Sequence, residues 1–211
     1  LTRLDLAPGA GAIRQRPAHI QGDGMKWFDK GFLYCLLAML CMAAGPALGQ
    51  APLQLTATSS EHTLAAHTRY YHDPAGKDGL ASVRQHLASG KFHPLPDGNT
   101  SFGFQDGAYW FHADLLNTGS PDRKWLLVQE YALSDRIDLY ATYADGRVLH
   151  HAGGDHLPFD QRNIRYRHPN FWLDLPPGET VNLLVRVQSE SSMQVPLRLY
   201  SPVAFIEQSR D

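Results

Sequence analysis

The densest group of side chains able to do chemistry lies in DQRNIRYRHPNFW, residues 160–172. It gathers Arg162, Arg165, Arg167, Tyr166, His168 and Trp172. On a strand, Arg165 and Arg167 share a face, because side chains alternate with a period of two. Two guanidinium forks side by side could hold a carboxylate or a hydroxyl-rich ligand, and an outward Trp172 could stack on a sugar ring. Paired with Asp160, Asp174 or Glu190, the same arginines would form a solvated charged face, the commoner fate of surface charge. A second group, HHAGGDH, sets His150, His151, Asp155 and His156 close together. Three imidazoles and a carboxylate suit zinc in type. Adjacent His150 and His151 point to opposite faces of a strand, however, and the spacing matches no recognised ligand pattern, so no metal is expected. Asp135 with Asp138, or Asp155 with Asp160, could be imagined as a glycosidase pair. Aspartates at strand ends are ordinary turn chemistry, so no catalytic residue is assigned. No nucleophile elbow, phosphate loop or dinucleotide fingerprint accompanies them, and no cofactor is expected.

The elements that must position these residues are mostly strands. In SFGFQDGAYWFHADLLNTG, alternation sends Tyr109, Phe111, Ala113 and Leu115 to one face and Ala108, Trp110 and His112 to the other. The first row reads as core, with Trp110 half-covered on the opposite side. Trp110 and His112, on that outward face, join Arg162, Arg165, Arg167 and Trp172 as candidate ligand-binding residues. Short β-rich runs follow at 108–117, 124–131, 136–143, 146–151, 163–168, 170–175, 180–188 and 194–200. NTGSPD, ADG, AGGD and LPPGE separate them with turn chemistry. Residues 66–71 suggest one earlier strand. LASVRQHLA, 80–88, carries the one helical period and ends at Gly90. Many short strands with regular turns predict an all-β sandwich or barrel with one short helix.

The chain has 211 residues, and its ends set limits on what is mature protein. From Met25 the sequence reads MKWFDKGFLYCLLAMLCMAAGPALGQA, a basic start, an apolar stretch over 31–44 and small residues at Ala47 and Gly49. That is the pattern of a signal peptide over 25–49, cleaved before Gln50. Residues 1–24 read as untranslated or disordered upstream sequence. Both cysteines, Cys35 and Cys41, fall inside the signal, so the exported part has no disulfide and no thiolate chemistry. From Gln50 onward 14 Lys and Arg face 18 Asp and Glu, without a basic stripe, which argues against nucleic acid. Residues 50–62 read as an extended lead-in, 63–207 as the sandwich, and 208–211 as the start of a linker.

The ordered series YYHDPAGKDGLASVRQHLASGKFHPL, DGAYWFHADLLNTG, SDRIDLYATYADGRVLHHAGG, LPFDQRNIRYRHPNFWLDLPPGE and VNLLVRVQSESSMQVPLRLYSPVAF resembles a known family across roughly residues 60–207. It is similar to the type 2 extracellular domain of bacterial seven-transmembrane receptors with diverse intracellular signalling modules, 7TMR-DISM. The resemblance implies a jelly-roll-like antiparallel β-sandwich akin to carbohydrate-binding modules. It implies a periplasmic, non-catalytic sensor whose receptor continues into seven membrane helices and a histidine kinase or diguanylate cyclase. Expected partners are a small-molecule ligand (a carbohydrate or an organic acid), the receptor's own transmembrane region, and a second copy or a partner receptor. SPVAFIEQSRD would leave the last strand for the bilayer. One departure is His112, where the family often has Arg; an imidazole there would make recognition pH-sensitive. A secreted carbohydrate-binding module or carbohydrate-active protein, and a protein–protein interaction domain regulating another receptor, are the alternative readings.

Overall fold

The computed structural model describes residues 50–156 and 164–210. The expected signal peptide with both cysteines, the upstream segment, Asp160 and Arg162 lie outside the described residues. In chain order the elements are β1 (Leu53–Leu55), β2 (Glu61–Thr63), β3 (Arg69–Asp73), α1 (Leu80–Ala88), β4 (His93–Pro94), β5 (Ser101–Phe104), β6 (Ala108–Asn117), β7 (Lys124–Gln129), β8 (Arg136–Thr142), β9 (Val148–Gly153), β10 (Asn170–Asp174), β11 (Thr180–Gln188), β12 (Ser192–Gln194), β13 (Leu197–Tyr200) and α2 (Pro202–Gln208).

Two sheets carry the fold, so the all-β sandwich expected from the strand spacing is what forms. The larger runs β4-β3-β6-β11-β8-β9, and β1 adds parallel to the far end of β6, beyond the stretch that β3 covers. The smaller runs β10-β7-β13-β2. A two-stranded ribbon of β12 and β5 sits beside them, with a register shift between Met193 and Gln194. The alternation read from the sequence decides which side chains meet. Tyr109, Phe111, Ala113 and Leu115 face inward with Ile137, Leu139, Val181, Leu183, Val185 and Val187 of the same sheet. Trp125, Leu127, Phe171, Leu173 and Leu199 come from the opposing sheet. Apolar area of this size is the main drive for joining the sheets.

Each outer face is also covered. On the larger sheet, α1 lays Val83, Leu80 and Leu87 over Trp110, Leu184 and Phe92. Trp110, expected to be half-covered, is fully buried, because the helix supplies the cover that a bare strand pattern does not reveal. On the smaller sheet, Phe205 of α2 packs with Leu126, Val128 and Tyr200, and Tyr166, Ile164 and Trp172 close over the same patch. Ser201 caps α2 by accepting from the Ala204 N–H, and Pro202 starts it. The C-terminal segment, expected to leave the last strand for the bilayer, first forms a helix that packs on the sheet. No helix among the described residues is long and apolar enough to cross a membrane.

The lead-in at 50–62, read as extended, contains β1 and β2, both of which pair into the sheets. One further reading is corrected. The run at 163–168 is not a strand over its described part. Tyr166 N–H bonds to Ile164 O, and the Asn170 side chain bonds to both the N–H and the carbonyl of Ile164, curling the backbone instead of extending it.

Three imidazoles give the fold a pH dependence. Burial lowers the pKa of His62, His151 and His168, helped by the charges of His67, His150 and Arg167 respectively. His62 Nε2 and His168 Nδ1 are buried without a hydrogen-bond partner. A base whose folded pKa lies below its unfolded value of about 6.5 lets the unfolded chain take protons first. The stability is thus intact above about pH 6.5 and is lost as pH falls through that value toward the lowered ones. The melting temperature should fall between about pH 7.5 and 5.5, and His62→Phe should flatten that fall. Carboxylates held low, such as Asp174 beside Arg123, add their own loss only at more acidic pH. An unchanged pH slope in His62→Phe would remove His62 from the account.

Candidate functional site

In an antiparallel sandwich, alternate connections gather at one end. Here the segments before β6 and β8, residues 154–156 after β9, and the turn after β11 all lie at the same end. They enclose a cleft of about 650 Å³ lined by Phe104, Gln105, Asp106, Asp135, Arg136, His156 and the Gln188–Glu190 turn. Its size is that of small-molecule sites. Phe104, the last residue of β5, holds its ring 80% exposed at the rim. An exposed aromatic beside polar groups is unusual enough to draw attention, since large apolar rings are normally covered.

The loops are tied in place. Glu190 N–H donates to Asp135 Oδ2 at 2.6 Å. Asp155 N–H reaches Ser134 O at 2.9 Å, and His156 N–H reaches Asp135 O at 3.2 Å. Ser189 and Ser191 both donate their hydroxyls to Leu133 O. Beneath them, Gln129 donates to Ser134 Oγ and Gln194 O. Two glycines allow the close approach. A Cβ on Gly107 would sit 2.1 Å from Asp73 O, and one on Gly154 would sit 2.3 Å from Asp135 O; both have positive φ. Only glycine fits there.

Behind the cleft lies a charge network on the outer face of the larger sheet. Asp138 is 1% exposed and accepts from Arg136 Nε at 2.8 Å and from His150 Nε2 at 2.9 Å. Arg186 Nη1 stands 3.8 Å away, on a side chain that is itself only 11% exposed. Trp110, Tyr140 and His150 form a continuous ring stack beside this carboxylate. Hydrogen bonding to Asp138 pushes the Arg136 guanidinium up. With its oxygens held by cations, Asp138 is placed to organise charge, and the imagined pairing of Asp135 with Asp138 as acid and base finds no support in this arrangement.

The sequence-derived candidates fall on two different layers. Trp172 is half-buried on the outer face of the smaller sheet, where it packs on the α2 cluster. Arg165 and Arg167 are exposed in the turn before it, and Arg167 lies over the Tyr166 ring at 5.6 Å. His112 is on the outer face of the other sheet, where Asn182 donates to its Nε2 at 2.6 Å and to Asp114 Oδ1 at 2.9 Å. Burial raises the Asp114 carboxyl, but His112 and Asn182 outweigh it and hold it below the usual range. Trp110 is sealed under α1 and offers no surface to a ligand. The candidates therefore do not converge on one site. His150 and His151 do take opposite faces, one on Asp138 and the other near Phe171. His156 instead meets Asp135 and Asp155, whose potential ligand atoms lie within 4.8 Å of one another.

Sequence reading named Asp135, His156 and Glu190 separately but did not bring them together, and Phe104, Asp106 and Arg136 escaped it. Their one available signal was positional: DG at 106–107, SDR at 134–136 and QSES at 188–191 are turns that strand alternation places together.

Comparison with known proteins completes the site's context. Among curated protein sequences none matches the chain significantly. Solved structures of β-glucuronidase from Ruminococcus gnavus are similar over 72% of this chain and 30% of theirs, at 14% identity and a TM-score of 0.37. The same enzyme with D-glucuronic acid matches 72% of this chain and 31% of its own, at 14% identity and a TM-score of 0.36. The chain thus spans about a third of the length of those enzymes. The model of the family described as 7TMR-DISM extracellular 2 matches residues 65–201, well over half of the sequence. With the series of strands, turns and one short helix before β6 that this family's resemblance implied, the chain belongs to the 7TMR-DISM extracellular 2 family.

Proposed function

We propose that this domain is the periplasmic, non-catalytic ligand-sensing part of a membrane signal-transduction receptor, and that the cleft at the loop end is where ligand binds. Family membership over residues 65–201 is the observation that carries the receptor reading. The cleft supports the ligand: it is large, its loops are held by hydrogen bonds, and its rim carries an exposed aromatic. The turn that lines it, 188–190, continues through β12 and β13 into α2. A ligand that favours one arrangement of that turn would bias whatever follows the chain's last helix. The remaining receptor would comprise seven membrane helices and a histidine kinase or diguanylate cyclase, with a homodimer or a partner receptor as its assembly.

Arg165 and Arg167 support a second, shallower site for an organic acid or a sugar, because both residues are exposed and Arg167 lies over the Tyr166 ring. Arg165→Ala should remove any melting shift that organic acids produce there; an intact shift would exclude that site.

The receptor reading is tested by the coding DNA beyond Asp211. Seven apolar segments and a signalling domain are expected. A stop codon directly after Asp211 would overturn it in favour of a secreted sandwich.

A further inference from the structure

The charges that line the cleft are unbalanced in a way that selects a ligand. Three carboxylates face it, from Asp106, Asp135 and Glu190. Against them, among the described residues, stands one guanidinium, Arg136, and its Nε is already bonded to Asp138. The His156 imidazole lies 3.9 Å from both Asp135 and Asp155. Among the described residues the side chains of Asp106 and Glu190 take part in no ion pair and are exposed to the cleft. An anion entering here would meet net negative charge from the described lining residues and a cation already engaged.

Phe104 adds the second element. The face of an aromatic ring attracts a cation and also gives a flat apolar surface to a carbon skeleton. Its ring is held up by a fixed backbone, since β5 pairs with β12 through Phe104 and Ser192. A cleft of about 650 Å³ is far larger than a metal ion and fits an organic molecule.

We infer that the cleft takes an organic ammonium compound, its amino group held by Asp106, Asp135 and Glu190 and its carbon skeleton laid on Phe104. This rests on reading the cleft as the sensor's ligand site. Amino sugars and polyamines share the required chemistry. Carboxylates suit an ammonium as charge-assisted acceptors. Asp135 is prepared for this because the Glu190 N–H fixes one of its oxygens and leaves the other toward His156.

The test is calorimetric titration of the purified protein, backed by melting curves, with glucosamine, putrescine and spermidine. Glucose, N-acetylglucosamine, glucuronate and citrate serve as uncharged and anionic comparisons, and manganese and zinc salts are titrated alone. At least one of the ammonium compounds should bind, and more weakly as salt is raised. Glu190→Gln and Asp106→Asn should each weaken that binding by about tenfold, with melting of the free protein unchanged. Phe104→Ala should weaken it about threefold to fivefold. A larger Phe104 effect for glucosamine than for putrescine would identify the amino sugar as the source of the ammonium. Binding of glucose or glucuronate that depends on Phe104, with the ammonium compounds inert, would overturn the ammonium inference and leave the cleft as the ligand site. Binding of a metal ion alone, lost in Asp155→Ala, with the ammonium compounds inert, would replace it with a cation site. Silence from the whole panel would overturn both the inference and the cleft reading.

Discussion

Replacing Asp138 with alanine is expected to lower the unfolding free energy by about 3–5 kcal/mol, the usual result of removing one partner from a buried ion pair. For a domain of this size that is a fall in melting temperature of roughly 10 °C. The reason is Arg186, left without its carboxylate while only 11% exposed. Gly76 O and Gln188 Oε1 still accept its hydrogen bonds, but neither carries the compensating charge. Arg136→Ala touches the same carboxylate from the solvent side, at 64% exposed, and should cost less than about 1 kcal/mol. The two variants thus separate a buried charge from a surface one on a single acceptor. Adding Arg186→Met to Asp138→Ala should recover part of the loss, because it removes the orphaned charge. Equal effects of Asp138→Ala and Arg136→Ala would mean that Arg186 is solvated in solution and that the network is ordinary surface charge.

That network shows where sequence reading works and where it stops. Periodicity of two placed Phe111, Leu115, Leu139 and Phe171 in the core, because burial between two sheets acts on every second residue. The helix at 80–88 was legible from its spacing and from Gly90. What the helix covers was not. Alternation says that Trp110 faces away from the core, but not that α1 crosses above it, since that depends on contacts far apart in sequence. The strand reading of the arginine segment failed for a local reason. RYRH has the look of a strand, yet the Asn170 side chain supplies bonds that an extended backbone at Ile164 would have found in a sheet. The cleft was invisible because its lining comes from separate turns, none with a motif, that meet only when the strand order is known.

Trp110→Ala should be as damaging as Asp138→Ala, at about 3–5 kcal/mol. Its ring is fully buried and stands between α1 and the larger sheet, with Val83, Phe92 and Leu184 around it. Removing it leaves a cavity that a helix pinned by strands on either side cannot close, and also breaks the stack onto Tyr140 and His150. Trp110→Phe tests what the ring contributes apart from volume. The indole Nε1 is buried without a hydrogen-bond partner, so phenylalanine gives up no bond and relieves an unsatisfied donor. Its cost should stay below about 1.5 kcal/mol, well under that of alanine. Ligand binding at the cleft should be unchanged in Trp110→Phe, because the residue supports the sheet and presents no face to a ligand. A loss of binding in a Trp110→Phe protein that melts normally would return Trp110 to the ligand site and show that α1 lifts from the sheet when ligand enters.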